Sequence, residues 1–277
     1  MLRLFSPAKV NLYLKVHHRR PDGYHELTTV LQTVDFGDFV SLAPADRLRL
    51  SAPPYLPQGA DNLAWRAAEA FYGALRRIPR VQITLEKHIP VQAGLGGGSS
   101  NAATVLRGLN AMHGFPLNVP TLGELAAGLG SDVAFFLHGG TALATGRGEK
   151  VHPLPDLLPF YVRIIKPPFG LSTAEVYALW SGTGAPLAHD SVLAMLRDFD
   201  PKSLLQNDLE QPAFALRPEL MRLKDRLVTE GAEAALLSGS GSAVFGVYRH
   251  KPIRRPSQVN GSTEWLVRTL PAYDIIE

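Results

Sequence analysis

The chain has 277 residues, 45% of them hydrophobic and 19% charged, with 28 basic against 25 acidic side chains and a formal charge of +3. Those proportions exclude disordered, collagen-like and fibrous chains and leave room for one large domain or two modest ones. Cysteine is absent, which removes disulfide scaffolds, thiolate zinc sites, iron–sulfur clusters and cysteine nucleophiles together.

No run approaches the ~18 apolar residues of a membrane span. Near the start, Lys9, Asn11 and Lys15 interrupt the apolar stretch a secretory signal needs, so a cytoplasmic location is expected. Lys9–Val16 alternates, with Val10, Leu12, Leu14 and Val16 on one face and Lys9, Asn11, Tyr13 and Lys15 on the other, as in a strand. Lys9 and Asn11 therefore point the same way. The polar stretch His17–Glu26 carries the turn signal Pro21-Asp22-Gly23. Strands are expected at Thr28–Val34, Phe39–Leu42 and Arg47–Leu50, followed by a Pro- and Gly-rich connector, Ala52–Gly59. Asp61 is the expected N-cap of a helix burying Leu63, Ala67, Ala70, Phe71 and Ala74.

Val81–Lys87 alternates like a strand and leads into a glycine-rich loop, Pro90–Asn101, which opens into a small-residue helix, Ala102–Met112, closed by Gly114. A helix at Thr121–Gly130 precedes Ser131-Asp132 and the apolar run Val133–Leu137. Strands at Thr141–Thr145 and Phe160–Lys166 flank Pro153–Pro159, which has the composition of a linker. Helices near Thr173–Trp180, Asp190–Arg197 and Pro218–Glu230 follow. Ala234–Tyr248 then reads as a strand interrupted by Ser238-Gly239-Ser240-Gly241-Ser242. Interleaved strands and helices in both halves give an α/β or α+β class with a division near residue 155, into 1–155 and 156–277.

The segment Gly94-Leu95-Gly96-Gly97-Gly98-Ser99-Ser100 at a helix start is the clearest chemical signal. Glycines permit positive φ and close backbone approach, and the first N–H groups of a helix point outward at the positive end of its dipole, which makes an anion cradle. A plain flexible loop is the other reading. No Lys follows the last glycine, so this is not the Walker pattern, and the acidic residue of a dinucleotide fingerprint is missing. The Leu237–Ser242 turn is read either as the far wall of such a site or as an ordinary β-turn. Asp132, at the edge of an apolar run, is read as a helix-capping group, as half of a structural ion pair, or as a carboxylate placed for chemistry. A phosphate loop, one such carboxylate and one inward lysine are the minimum set for phosphoryl transfer to a hydroxyl. Tyr24 and His25, beside the turn, are suited to reading a planar ring or to packing the loop. The nine histidines show no metal-ligand spacing. The cluster Arg249-His250-Lys251 lacks the interleaved aromatics of a nucleic-acid surface.

Five blocks in order, Pro7-Ala8-Lys9-Val10-Asn11-Leu12, Arg20-Pro21-Asp22-Gly23-Tyr24-His25-Glu26-Leu27, Pro90 through Ala103, Gly130-Ser131-Asp132-Val133 and Ser238-Gly239-Ser240-Gly241, resemble the GHMP kinase superfamily. The second block resembles the branch whose acceptor is a cytidine diphosphate-linked methylerythritol. The resemblance implies a two-lobed α/β fold with an N-terminal ATP-binding lobe, a C-terminal α/β lobe, an active-site cleft between them and a left-handed β-α-β crossover. It implies ATP phosphates on Pro90, Val91, Gln92, Ala93, Gly94, Leu95, Gly96, Gly97, Gly98, Ser99 and Ser100, with Gly239 and Ser240 opposite. Asp132 resembles the carboxylate that takes the proton of the attacking hydroxyl. Lys9 resembles its partner, which stabilises the developing alkoxide. Asn11 is implied to contact the acceptor, with Tyr24 and Tyr177 enclosing the cytosine and His25 pairing with its edge. Mg2+ is implied to travel with ATP on phosphate oxygens and water, with Ser100 a candidate protein ligand.

The expected activity is phosphorylation of the acceptor's 2-hydroxyl, in the non-mevalonate route to isoprenoid precursors, by a monomer or homodimer that engages neither membrane nor nucleic acid. The alternatives are a kinase of this superfamily for homoserine or mevalonate, and a catalytically silent nucleotide- or RNA-binding relative. Asn101 stands where relatives often have Asp, and Lys251–Glu277 matches no motif.

Overall fold

The computed structural model describes residues 1–182, 192, 194, 196, 199–252 and 261–273. The opening alternation becomes β1 (Leu2–Arg19), which pairs antiparallel along most of its length with β2 (His25–Pro44). β3 (Arg49–Ser51) pairs parallel with β4 (Val81–Glu86), and β4 in turn lies antiparallel to residues 39–44 of β2. Between them runs α1 (Leu63–Ala74), and after β4 come α2 (Gly97–Met112), α3 (Val119–Leu129) and α4 (Phe135–His138). β5 (Thr141–Gly146) returns to residues 27–32 of β2 and forms a hairpin with β6 (Lys150–Pro153).

The rest of the chain supplies β7 (Tyr161–Lys166), α5 (Thr173–Ala178), α6 (Pro201–Leu204), β8 (Gln206–Asn207), α7 (Glu210–Leu216), α8 (Glu219–Thr229), β9 (Ala234–Leu237), β10 (Val244–Tyr248) and β11 (Thr263–Arg268). Four of these strands make a second, antiparallel sheet in the order β11-β7-β10-β9. β8 instead adds to the first sheet, parallel to β1 at Tyr13 and Leu14.

Three apolar clusters fix four layers. Leu31, Val40, Leu42 and Ile83 of the first sheet pack with Phe71, Leu106, Leu109, Phe135 and Phe136 of α1, α2 and α4. Val10, Leu12 and Val30 pack with Val162, Ile164 and Phe245 of the second sheet. Ile165, Leu237 and Val244, on the outer face of that sheet, pack with Ala213, Leu220 and Leu227 of α7 and α8. The alternation of β7, with Val162 and Ile164 inward and Ile165 outward, is the period-2 pattern of a strand buried on both faces. Because both faces of β1 are covered, Lys9 and Asn11 are themselves buried. α2 is buried almost all round, which its small residues permit: a Cβ at Gly108 would lie 2.5 Å from Leu42 Cδ1 and 2.8 Å from Leu4 Cδ1. Among the described residues no helix is long and apolar enough to cross a membrane.

Several expectations change. β2 is one strand rather than two, because a bulge absorbs the extra residues opposite Pro7 and Ala8 and Gly37 slips past Ser6, where a Cβ would meet the Ser6 carbonyl at 2.4 Å. The cap of α1 is Asn62, whose Oδ1 accepts from Ala64 N–H at 3.0 Å, while Asp61 closes a 3-10 turn, Gly59–Asp61, and Ala74 is exposed. α2 starts at Gly97, inside the glycine loop, rather than at Ala102. β11 was not apparent from the sequence: its buried face carries Glu264, which pairs with the buried Arg163 of β7 at 2.5 Å, so the apolar alternation fails there. The helix expected at Asp190–Arg197 falls largely outside the described residues.

A polar knot lies beneath the glycine loop. The buried Asp38 carboxylate accepts from His88 N–H (2.7 Å), Ile89 N–H (2.8 Å) and Asn101 Nδ2 (2.9 Å) and pairs with the Lys87 ammonium, which also donates to Asn101 Oδ1 at 3.0 Å. Asn101 both donates and accepts here, which an aspartate at that position would not do. Asp38→Ala leaves the Lys87 charge buried without its carboxylate, and a loss of about 3–5 kcal/mol is expected. Denaturant unfolding checks this; a loss under about 1 kcal/mol would show that the knot relaxes freely.

Candidate functional site

The glycine loop reaches α2 through three left-handed residues, Gln92 (φ 52), Gly94 (φ 73) and Gly96 (φ 74), the last of which is the helix N-cap. The first helical bond of α2 runs from Ser100 N–H to the Gly96 carbonyl at 2.9 Å, so the N–H groups of Gly97, Gly98 and Ser99 precede any intrahelical acceptor. The serine- and glycine-rich turn between β9 and β10 is sewn to this loop. Ser242 N–H donates to Gln92 C=O (3.2 Å), Ala243 N–H to Ala93 C=O (3.1 Å) and Ser238 Oγ to Gly94 C=O (3.0 Å). Gly94 has no alternative: a Cβ there would sit 1.9 Å from the Ser238 carbonyl oxygen. Asn207, on β8, braces the turn by donating to the carbonyls of Leu237 (2.9 Å) and Gly239 (2.7 Å).

Lys9 is held where β1 passes under the start of α2, its backbone N–H bonded to Leu95 C=O at 3.1 Å. Its ammonium, on a side chain only 4% exposed, donates to Asn11 Oδ1 at 2.5 Å and lies 3.5 Å from Asp132 Oδ2. The Asn11 amide is oriented from behind, since Nδ2 donates to Thr29 Oγ1 (2.9 Å), which donates in turn to Tyr13 C=O (2.7 Å). Asp132 sits in the turn between α3 and α4, with its carbonyl accepting from Phe136 N–H at 3.4 Å. A Cβ on Gly239 would come within 3.5 Å of the Lys9 amine and 3.3 Å of Asn11 Oδ1, so the Ser-Gly turn also closes over this group.

An aromatic group lines the same space. His25 stacks on Tyr177 of α5, with centroids 5.3 Å apart and planes at 26°, and meets Trp180 edge-on at 5.5 Å. Tyr24 is 56% exposed and carries the Arg147 guanidinium 4.9 Å above its ring. Burial pushes the Tyr177 hydroxyl well above its ordinary range, reinforced by the Asp132 charge. Burial holds the His25 ring below its ordinary 6.5, with the neighbouring Arg19 charge acting in the same direction.

A cavity of about 940 Å³ joins the three groups. Of the residues singled out in the sequence, Lys9, Asn11, Tyr24, His25, Gly94, Gly96, Ser99, Asp132, Tyr177, Gly239 and Ser240 line it. Pro90, Val91, Gln92, Ala93, Leu95, Gly97, Gly98 and Ser100 do not. Gln92 and Ala93 serve instead as acceptors for the Ser-Gly turn, and Ser100 is buried with its Oγ 2.8 Å from Ser6 Oγ. Arg147, Gly148, Thr29, Thr173 and Trp180 line the cavity without having been singled out. Gly146-Arg147-Gly148, a cation between two glycines at the β5–β6 hairpin, was the available signal.

The loop's left-handed glycines and free helix-start N–H groups fit a polyphosphate. Among the described residues no three His, Asp or Glu side chains gather as a metal cage, and the Ser100 hydroxyl is turned toward Ser6. These residues fit a divalent ion carried chiefly by the nucleotide's own oxygens.

The family model for the GHMP kinases N terminal domain matches residues 62–140, and that for the GHMP kinases C terminal matches residues 189–255. The chain is 43% identical over 259 residues to the 4-diphosphocytidyl-2-C-methyl-D-erythritol kinase of Geobacillus kaustophilus (strain HTA426), covering 90% of this chain and 89% of the relative. It is 41% identical over 255 residues to the protein of the same name from Bacillus subtilis (strain 168), covering 89% and 88%. A crystal structure of 4-(cytidine 5'-diphospho)-2C-methyl-D-erythritol kinase superposes with a TM-score of 0.81 at 37% identity over 97% of this chain and 99% of that one. A homoserine kinase from Cytophaga hutchinsonii superposes with a TM-score of 0.72 at 20% identity, covering 98% and 95%, which is likeness of fold.

The electrostatics of His25 are open to direct measurement. Its imidazole resonances, followed by NMR against pH, are expected to titrate below 6.5. Arg19→Ala removes one of the two lowering influences and moves the midpoint up toward that value. A midpoint above 6.5 in the unmodified chain would contradict the assignment.

Proposed function

The chain belongs to the GHMP kinase family, and from that premise we propose that it transfers the γ-phosphoryl group of ATP to the 2-hydroxyl of 4-diphosphocytidyl-2-C-methyl-D-erythritol, giving the 2-phosphate and ADP. It is a kinase, and its curated relatives at about 40% identity carry that substrate in their names. The reading rests above all on one cavity that joins a phosphate loop, a lysine–aspartate pair and a set of aromatic rings.

The division of labour follows from chemistry. The acceptor oxygen forms a bond to the γ-phosphorus as the bond from phosphorus to the β–γ bridging oxygen breaks, and the hydroxyl proton passes to the Asp132 carboxylate. Lys9, desolvated and 3.5 Å from that carboxylate, steadies the charge that develops on the acceptor oxygen. Asn11 offers a polar contact to the acceptor beside them. Mg2+ carried with ATP supplies neutralisation of phosphate charge, while the N-terminal turn of α2 binds the phosphates from below. Little covalent help is needed, so positioning and electrostatics carry the rate.

Tyr24, His25, Tyr177 and Trp180 suit an acceptor bearing a planar base, which homoserine and mevalonate lack. His25 reads the cytosine edge in its neutral form. Arg147, over Tyr24, supplies a cation for the acceptor's diphosphate. Residues 1–155 and 156–277 are the two lobes of the enzyme, which works in the cytoplasm.

ADP release with Mg-ATP and each of the cytidyl acceptor, homoserine and mevalonate tests the proposal. Turnover is expected with the cytidyl acceptor alone, and Asp132→Ala is expected to lower kcat by roughly 10²–10⁴-fold. Turnover of homoserine or mevalonate but not the cytidyl acceptor, or full activity in the Asp132 variant, would overturn it.

A further inference from the structure

The segment that leaves β11 matches no motif, yet it is tied to both sheets. Thr269 N–H donates to Phe160 C=O (3.1 Å), at the start of β7. Arg268 N–H donates to Asp35 Oδ1 (2.6 Å) and Leu270 N–H to Thr33 C=O (3.0 Å), both on β2, and Gln32 Nε2 donates to Leu270 C=O (2.8 Å). Tyr273 N–H then reaches the carbonyl of His138, the last residue of α4, at 3.2 Å. Gly139 and Gly140 make room for this path. A Cβ on the first would lie 2.4 Å from the Tyr273 ring, and one on the second would lie 2.5 Å from Ala272 N.

At the end of the path one residue is held from three directions. Phe136 N–H donates to the Asp132 carbonyl at 3.4 Å, and its own carbonyl accepts the Tyr273 hydroxyl at 2.5 Å. Its ring covers the N-cap of α2, so close that a Cβ on Gly96 would be 2.8 Å from it and 3.1 Å from Lys9 Cγ. The Arg107 guanidinium of α2 lies 3.9 Å above the Tyr273 ring. Burial pushes the Tyr273 hydroxyl up to about 12, so it remains a donor at neutral pH. Tyr273 itself does not line the cavity.

We infer that Tyr273 is a positioning residue: by holding Phe136 it fixes the turn carrying Asp132 against the glycine loop and Lys9, and so sets the geometry of transfer from outside the cavity. The inference rests on the reading that Asp132 takes the acceptor's proton. The groups that bind the base, on the loop before β2 and on α5, do not depend on this contact. Loss of the contact therefore falls on kcat and leaves the acceptor's KM in place, because misplacing a reacting group by about 1 Å costs up to ~10²-fold.

The test compares Tyr273→Ala and Tyr273→Phe with the unmodified chain at a temperature at which all three are folded. It measures kcat, KM for ATP and the cytidyl acceptor, and amide exchange across α4. Tyr273→Ala is expected to lower kcat about tenfold or more, with acceptor KM within about twofold and faster exchange in residues 133–138. Tyr273→Phe, which keeps the ring and loses only the hydroxyl, is expected to lower kcat about threefold or more. A role confined to stability would lower the melting temperature and leave kcat below it unchanged. That result in the Phe variant overturns the inference even if the Ala variant does not fold. Failure of the unmodified chain to phosphorylate the cytidyl acceptor would be failure of the functional reading instead. Exchange in α4 then still decides the contact, and unchanged exchange in both variants overturns it.

Discussion

The burial of one ammonium group organises this molecule. The Lys9 side chain is 4% exposed, and removing a cation from water costs several kcal/mol unless polar groups replace the solvent. Asp132 at 3.5 Å returns about 5 kcal/mol at an effective dielectric near 20, less some screening because the carboxylate is 31% exposed. The two sides nearly cancel, so the pair adds little to stability. Its value lies in presenting a desolvated amine and a partly exposed carboxylate, already oriented, to one point in the cavity.

Four segments distant in sequence have to converge for that to happen, and the backbone does the joining. Residue 9 is bonded to Leu95 C=O, the Ser-Gly turn is bonded to Gln92, Ala93 and Gly94, and Phe136 packs on Gly96. Close approach explains glycine at 94 and 96, while at 239 the left-handed backbone (φ 56) requires it. Beneath them Asp38, Lys87 and Asn101 lock the end of β4 to α2, so the glycine loop is stretched between a buried polar knot and the second sheet.

Much of the site was legible in the sequence because its signals are local. Period-2 alternation put Lys9 and Asn11 on one face, and the glycines before a small-residue helix marked a left-handed loop that runs into a helix start. Asp132 stood at the edge of an apolar run. The aromatic residues expected to surround a base line one cavity, where His25 stacks on Tyr177 and Tyr24 lies under Arg147. What the sequence concealed depends on tertiary pairing. β2 reads as two strands because a bulge has no hydropathy signature. β11 hides behind a buried Glu264 whose partner is a hundred residues away, and the path beyond it is held largely by backbone bonds, which carry no residue code. Ser100, prominent in the glycine motif, proved to be a core residue bonded to Ser6, a distinction that one residue of helical phase decides.

The proposed mechanism makes Lys9 and Asp132 one device rather than two independent contributors. A double-mutant cycle on kcat with Lys9→Met, Asp132→Asn and the pair, each confirmed folded, tests it most directly. Strong non-additivity is expected, with the double variant no slower than the slower single variant to within about threefold. Losses that multiply, so that the double variant falls by the product of the two single effects, would contradict it.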